Sequence, residues 1–174
     1  PPTDEAGFLA FANSLAAPDI AQMLPRLEPL TDIYAHRFPA NLRRRYEEME
    51  RFPNGYLVLG DAVCSFNPVY GQGMSSAALQ AVELDRLLQM RQYQGAKGLS
   101  ALANPYFRQI AKIVDVPWQI SAGEDFRFAT TEGKKASSTD FINSYIAKVN
   151  RASQVDPVVH RAFLEVVHLK KHPS

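Results

Sequence analysis

Two short stretches between residues 60 and 74 carry residue types that could do chemistry. The first is Gly60-Asp61-Ala62, which follows the apolar run Tyr56-Leu57-Val58-Leu59. An aspartate at the carboxyl end of a strand is a fixed acceptor, well placed to hold hydroxyl groups. The second is Gly71-Gln72-Gly73-Met74, where a helical pattern begins. Gly71 and Gly73 lack a Cβ, so the backbone there can take positive φ and let a ligand approach closely. The amides that open a helix have no partners within it, and the macrodipole adds partial positive charge. Such a terminus suits a group that carries or develops negative charge. Elsewhere no Ser-His-Asp, Cys-His or paired-carboxylate set competes. His160, His168 and His172 share no metal-ligand spacing with a carboxylate and read as surface histidines.

The elements around these residues follow from pattern. A Pro53-Asn54-Gly55 turn precedes Tyr56–Leu59, and that short β-branched run reads as a buried strand. After the loop, Ala77, Ala81, Leu84 and Leu88 recur at helical spacing, with Ala78 and Leu87 widening the stripe, so a helix is expected from Met74 to about Arg91. Its small-residue first half would let it press closely onto a sheet or a cofactor. A dinucleotide phosphate loop is a poor alternative: its glycines directly follow the strand, whereas Gly71 comes eleven residues after Gly60 and Ser76 stands at the third glycine position. An isolated Gly-Gln-Gly would mark only the turn into a helix.

The order Gly60-Asp61-Ala62, Pro68, Gly71-Gln72-Gly73-Met74 resembles the second FAD-binding motif of the group A flavoprotein monooxygenases, the family of para-hydroxybenzoate hydroxylase and squalene epoxidase. The resemblance implies that Asp61 binds the ribityl chain of FAD and that the Pro68 region lines the isoalloxazine ring. It further implies that the amides near Gly73 and Met74 face the N1/C2-carbonyl edge of the flavin. Reduced flavin is more anionic there, and one helix-terminus contact contributes roughly 0.3–1 kcal/mol exposed, or about 2 when partly buried. The implied reaction uses NAD(P)H to reduce the flavin and O2 to oxygenate a small organic substrate, the protein supplying position and electrostatics. A geranylgeranyl-reductase-like enzyme or a flavin halogenase shares the motif, and a non-catalytic helical scaffold could retain it. Cys64 stands where many hydroxylases of this family carry His, and reads as a small buried apolar residue. Tyr70 suits either a flavin edge or a packing plug.

Composition bounds the rest. The chain has 174 residues, 46% hydrophobic and 21% charged, with formal net charge +1. Without a basic block there is no electrostatic case for nucleic acid or an anionic membrane. No apolar run approaches the roughly 20 residues of a membrane span, and one cysteine excludes an internal disulfide, which fits a cytoplasmic setting. The chain does not begin with Met and holds no Gly-x-Gly-x-x-Gly after an early strand. The expectation is therefore a carboxyl-terminal fragment of a longer flavoprotein, inactive without the missing N-terminal FAD-binding portion. Its fold class should be α+β, mainly helical, with few strands. Residues 1–50 would end the substrate-binding region, 51–95 would complete the FAD-binding domain, and 96–174 would form a helical tail.

Along the flanks, Thr3-Asp4-Glu5 caps a first helix, and Pro18-Asp19 opens a second with Ile20, Met23, Leu24 and Leu27 on its apolar side. Thr31–Phe38 reads as a strand, with His36 and Arg37 facing solvent. The charged stretch from Arg43 to Arg51 reads as a solvated face. Gly95 and Gly98 break the helical pattern. A helix from Ala101 to Asp115 should bury Phe107, Ile110, Ala111 and Val114, and end at Pro117 or kink there and continue through Trp118-Gln119-Ile120, with Trp118 as a core anchor. After a polar linker at Gly133–Thr139, two helices follow. The first should bury Ile142, Tyr145, Ile146 and Val149. The second, capped by Asp156-Pro157, should bury Val159, Phe163, Val166 and Val167.

Overall fold

A computed structural model describes residues 1–90, 92 and 94–173. It divides into two compact units, Pro1–Pro39 and Ala40–Ser174. The 51–95 and 96–174 stretches thus share one unit. The described residues are mainly helical, with two short strands.

In the first unit, α1 (Glu5–Asn13) starts where Asp4 accepts the Gly7 amide at 2.7 Å, and α2 (Asp19–Met23) runs into a 3-10 turn at Leu24–Arg26, so Pro25 limits it as expected. The expected apolar side of α2 is not buried: Ile20, Met23 and Leu27 are all exposed. Nor is Thr31–Phe38 a strand, since no neighbouring strand pairs with it and a lone extended segment has no ladder.

The second unit is built on α5 (Ala103–Asp125). Tyr106, Phe107, Ile110 and Val114 are all at most 1% exposed, and burying each such side chain contributes about 1.5–3 kcal/mol. Val63, Cys64, Phe66, Leu87 and Leu102 close the core around them, with Trp118 packed at its edge. Tyr46, Phe52 and Phe107 meet with ring centroids 4.6–5.6 Å apart, and Tyr56 stacks on Phe52. The helix does not end near Asp115. Pro117 sits inside it, fully buried, and the helix continues through Trp118, Gln119 and Ile120 to Asp125.

β1 (Leu42–Arg43) and β2 (Cys64–Ser65) pair antiparallel, with Leu42 opposite Ser65 and Arg43 opposite Cys64. Arg43 is not on a solvated face. Its side chain is 5% exposed and is held by Asp115 at 2.6 Å and Glu47 at 3.0 Å. Burial opposes its charge, but those two carboxylates outweigh it and raise its pKa above the ordinary value. Tyr56–Leu59 is extended without being a strand: Leu57 and Val58 pack against the core, while residues 57–59 make no backbone hydrogen bond among the described residues.

α3 (Gly73–Gln89) packs along α5. Arg91, where its end was expected, lies outside the described residues. A short α4 (Gly95–Ser100) forms where the two glycines suggested a break. α6 (Thr139–Ser153) and α7 (Pro157–Val167) form a hairpin. Asp156 caps α7 by accepting the Val158 and Val159 amides at 2.8 and 3.2 Å. α6 is rotated from the expected face. Thr139, Asn143 and Ser153 are buried and Tyr145 is 60% exposed, because Asn143 docks on the end of α5 by donating to the Gly123 carbonyl at 2.8 Å. No helix among the described residues is long and apolar enough to cross a membrane.

Candidate functional site

Gly60-Asp61-Ala62 is a single 3-10 turn, with Gly60 at φ +63°. A side chain there would be strained, and its Cβ would lie 3.5 Å from the Ala77 Cβ of α3. The turn is fixed to the helix by Gln80, whose buried Oε1 accepts the Gly60 amide at 2.9 Å while its Nε2 donates to Ser76 Oγ at 3.2 Å. A polar pair inside the core thus sets where the turn sits. Asp61 and Ala62 are exposed. The Asp61 carboxylate has no hydrogen-bond or ion-pair partner among the described residues, so it is open to hydroxyl donors. Arg44 approaches the carbonyls of Asp61 and Ala62, both at 3.5 Å.

Pro68–Tyr70 forms a second 3-10 turn, opened by the Asn67 side chain accepting the Val69 amide. Gly71 closes it in the left-handed region at φ +66°. Gly73 does not share that conformation; it is the first residue of α3. An added Cβ would meet nothing within 4 Å at either glycine, so open space lies against both. No side chain caps α3, and its first internal bond runs from the Ser76 amide to the Gln72 carbonyl. The Gly73, Met74 and Ser75 amides therefore remain as free donors among the described residues. Met74 is 87% exposed. Gln72, by contrast, is buried at 3% exposure and donates to the Val167 carbonyl at the end of α7, 3.0 Å away.

The structure thus ties Gly60 to α3 and sets Gly71, Gln72, Gly73 and Met74 in one continuous helix start, with Pro68 exposed just before it. An anionic or electron-rich edge laid against the open amides would gain hydrogen bonds and the field of a 17-residue helix. Cys64 has the inert character expected of it: 1% exposed, its thiol is pushed up to about 12, chiefly by burial. Tyr70 is half-buried and donates to Asp125 Oδ1 at 3.3 Å, with burial and then the Asp125 charge pushing its phenol up to about 12.

Sequence pattern missed the polar residues that bond to this segment from a distance: Gln80 on Gly60, Asn41 on the Asn67 amide and Asp125 on Tyr70. Gln80 had one signal: it falls four residues after Ser76, so the two share a face of the helix. Among the described residues no cluster of His, Cys, Asp and Glu could hold a metal. An open groove of about 1020 Å³ lies in the first unit, between Asp4, Phe8, Leu24, Leu27 and Tyr34, and involves none of the candidate residues.

No family model matches the sequence. Over 134 residues, 76% of this chain, it is 39% identical to Protein Rv3254 of Mycobacterium tuberculosis (strain ATCC 25618 / H37Rv). The chain spans about a quarter (27%) of the length of that curated relative.

Proposed function

We propose that this chain is part of an FAD-dependent oxidoreductase of the monooxygenase type, and that it holds the ribityl and isoalloxazine portions of the cofactor. The observation that carries this reading is the pinning of the Gly60-Asp61-Ala62 turn to α3 through Gln80, beside a helix start with three open amides. Asp61 would accept hydrogen bonds from ribityl hydroxyls. The Pro68–Tyr70 turn would line the ring, and the Gly73 and Met74 amides would face its electron-rich edge. The bound flavin would supply the redox chemistry, taking reducing equivalents from NAD(P)H and passing oxygen from O2 to a small organic substrate. The chain's own part is to orient the ring and to favour its reduced form by the helix field.

The remainder of the cofactor site would come from a portion of the protein amino-terminal to this stretch. Two features support that. Leu57–Leu59 is extended and half-packed on the core with its backbone groups unpaired, as a strand awaiting a neighbour would be. The Met74, Ala78, Ala81 and Val82 side of α3 is exposed, although its small residues suit close packing.

The test is the absorbance of the full-length protein as purified and after adding FAD, followed by NAD(P)H consumption in air. Flavin bands near one equivalent, reduced at least tenfold in affinity by Asp61→Ala, are the expected result; a hydroxyl-binding carboxylate contributes about 1.5–3 kcal/mol. A colourless protein that takes up no FAD would overturn the reading and leave the helical scaffold.

A further inference from the structure

The loop ahead of α3 is gripped at both ends from the far end of α5. Asp125, the last residue of α5, uses both carboxylate oxygens: Oδ2 accepts from Asn41 Nδ2 at 2.6 Å, and Oδ1 accepts from the Tyr70 hydroxyl at 3.3 Å. Asn41 passes the constraint on, its Oδ1 accepting the Asn67 amide at 2.6 Å and the buried Ser121 hydroxyl at 3.0 Å. Asn67 in turn accepts the Val69 amide and so shapes the Pro68–Tyr70 turn. Thr131, just beyond the helix, donates to the Asp125 carbonyl and fixes that residue's backbone. One carboxylate therefore holds the residue before the turn, through Asn41, and the residue that ends it, directly.

We propose that Asp125 is the positioning residue for the Pro68–Met74 loop, acting through Asn41 and Tyr70 to set the direction in which the open amides of α3 point. The geometry favours this over simple packing for two reasons. The partners lie 84 and 55 residues away in sequence, so the contacts do nothing for the local helix. They also converge on the one segment whose next residue, Gly71, is in the left-handed region and fixes the approach to α3. Tyr70 is suited to the task because its phenol stays protonated through neutral pH and keeps its hydrogen to donate. The inference that this posture matters to a flavin rests on the function proposed above; the brace itself does not.

The experiment follows amide hydrogen exchange in the full-length protein for the wild type, Asp125→Ala, Asp125→Asn and Tyr70→Phe, with Asn143→Ala as a control on another face of the same helix end. Asp125→Ala should speed exchange of the hydrogen-bonded Val69, Tyr70, Gly71 and Ser76 amides by about tenfold or more, as expected for one to two lost hydrogen bonds. Amides 107–114 should stay unchanged. Asp125→Asn, which retains one acceptor oxygen, should restore part of the protection, and Tyr70→Phe should give a few-fold effect confined to the Tyr70 and Gly71 amides. In protein loaded with FAD, Asp125→Ala should make the flavin midpoint potential more negative without abolishing binding. Unchanged exchange at those four amides would overturn the brace, as would a uniform rise along α5 or an equal loop effect from Asn143→Ala. If the wild type binds no FAD, the flavin reading fails and the exchange result alone judges Asp125.

Discussion

α5 and α3 lie against each other, yet they bury different kinds of side chain. α5 turns Phe107, Ile110 and Val114 inward, and its buried face coincides with its apolar periodicity. α3 turns Ser76, Gln80 and Leu87 inward; of its apolar stripe, Leu84 and Leu87 pack on the core, Ala77 is half-covered, and Ala78, Ala81 and Leu88 are exposed. The stripe of α3 thus only partly overlaps the face it buries. An apolar periodicity predicts burial only when the surface that covers it is within the same stretch of chain. For α5 that surface is α3, the Val63–Phe66 stretch and the aromatic residues before Tyr56. On α3, the face that packs among the described residues is the one that anchors Gly60.

The largest expected effect lies in α5. Ile110→Ala should cost about 2–5 kcal/mol in urea unfolding, since a side chain 1% exposed leaves a cavity its neighbours cannot fill. A loss below about 1 kcal/mol would mean that α5 is not the centre of the core, and the contrast with α3 would dissolve.

On α3 the buried face can be tested separately from the exposed one. Gln80→Leu keeps the volume but leaves the Gly60 amide without its acceptor, an expected cost of about 1–3 kcal/mol. It should also weaken FAD binding in the full-length protein, because the Asp61 turn loses its anchor. Ala81→Arg tests the outward face. If another part of the protein covers it, overpacking should cost about 1–3 kcal/mol. If the face meets only water, the change should stay within about 0.5 kcal/mol and the proposed cover is absent.

What could be read from sequence follows the same division. The caps at Asp4 and Asp156, the core of α5 and the loop running into α3 were legible, because each rests on local chemistry or on contacts within this stretch. Tyr56–Leu59 and Thr31–Phe38 were read as strands from side-chain type, but a strand is a property of two segments, and neither has a partner here. Within the site, the glycines and Asp61 announced themselves by type. Gln80, Asn41 and Asp125 did not, since a buried polar residue looks like a surface one until its distant partner is known. Arg43 was misread for the same reason: its buried ion pair depends on Asp115, 72 residues away.

The smallest effect belongs to Tyr106, where α5 departs from its own apolar rule. Its hydroxyl is buried and has no hydrogen-bond partner among the described residues, and burial pushes the phenol from 10.0 up to about 12. Tyr106→Phe should therefore be neutral or stabilising by up to about 1 kcal/mol at pH 7, because nothing is lost but an unmet desolvation cost. The sign at high pH follows from linkage. A phenol whose folded pKa lies above its unfolded one contributes stability that is complete below pH 10.0 and is lost as pH rises toward about 12, where the unfolded chain sheds its proton first. Cys64, raised from 9.0, and Tyr70, raised from 10.0, add to that loss in the same direction. Urea unfolding followed by Trp118 fluorescence should show stability falling above about pH 9, with the fall between pH 10 and 12 shallower in Tyr106→Phe than in the wild type. A variant destabilised by more than about 1 kcal/mol at neutral pH would mean that the hydroxyl has a partner after all. The polar contacts of α5 would then reach from Ser121, near its end, into the centre of its apolar face, and the contrast between the two helices would narrow to one of degree.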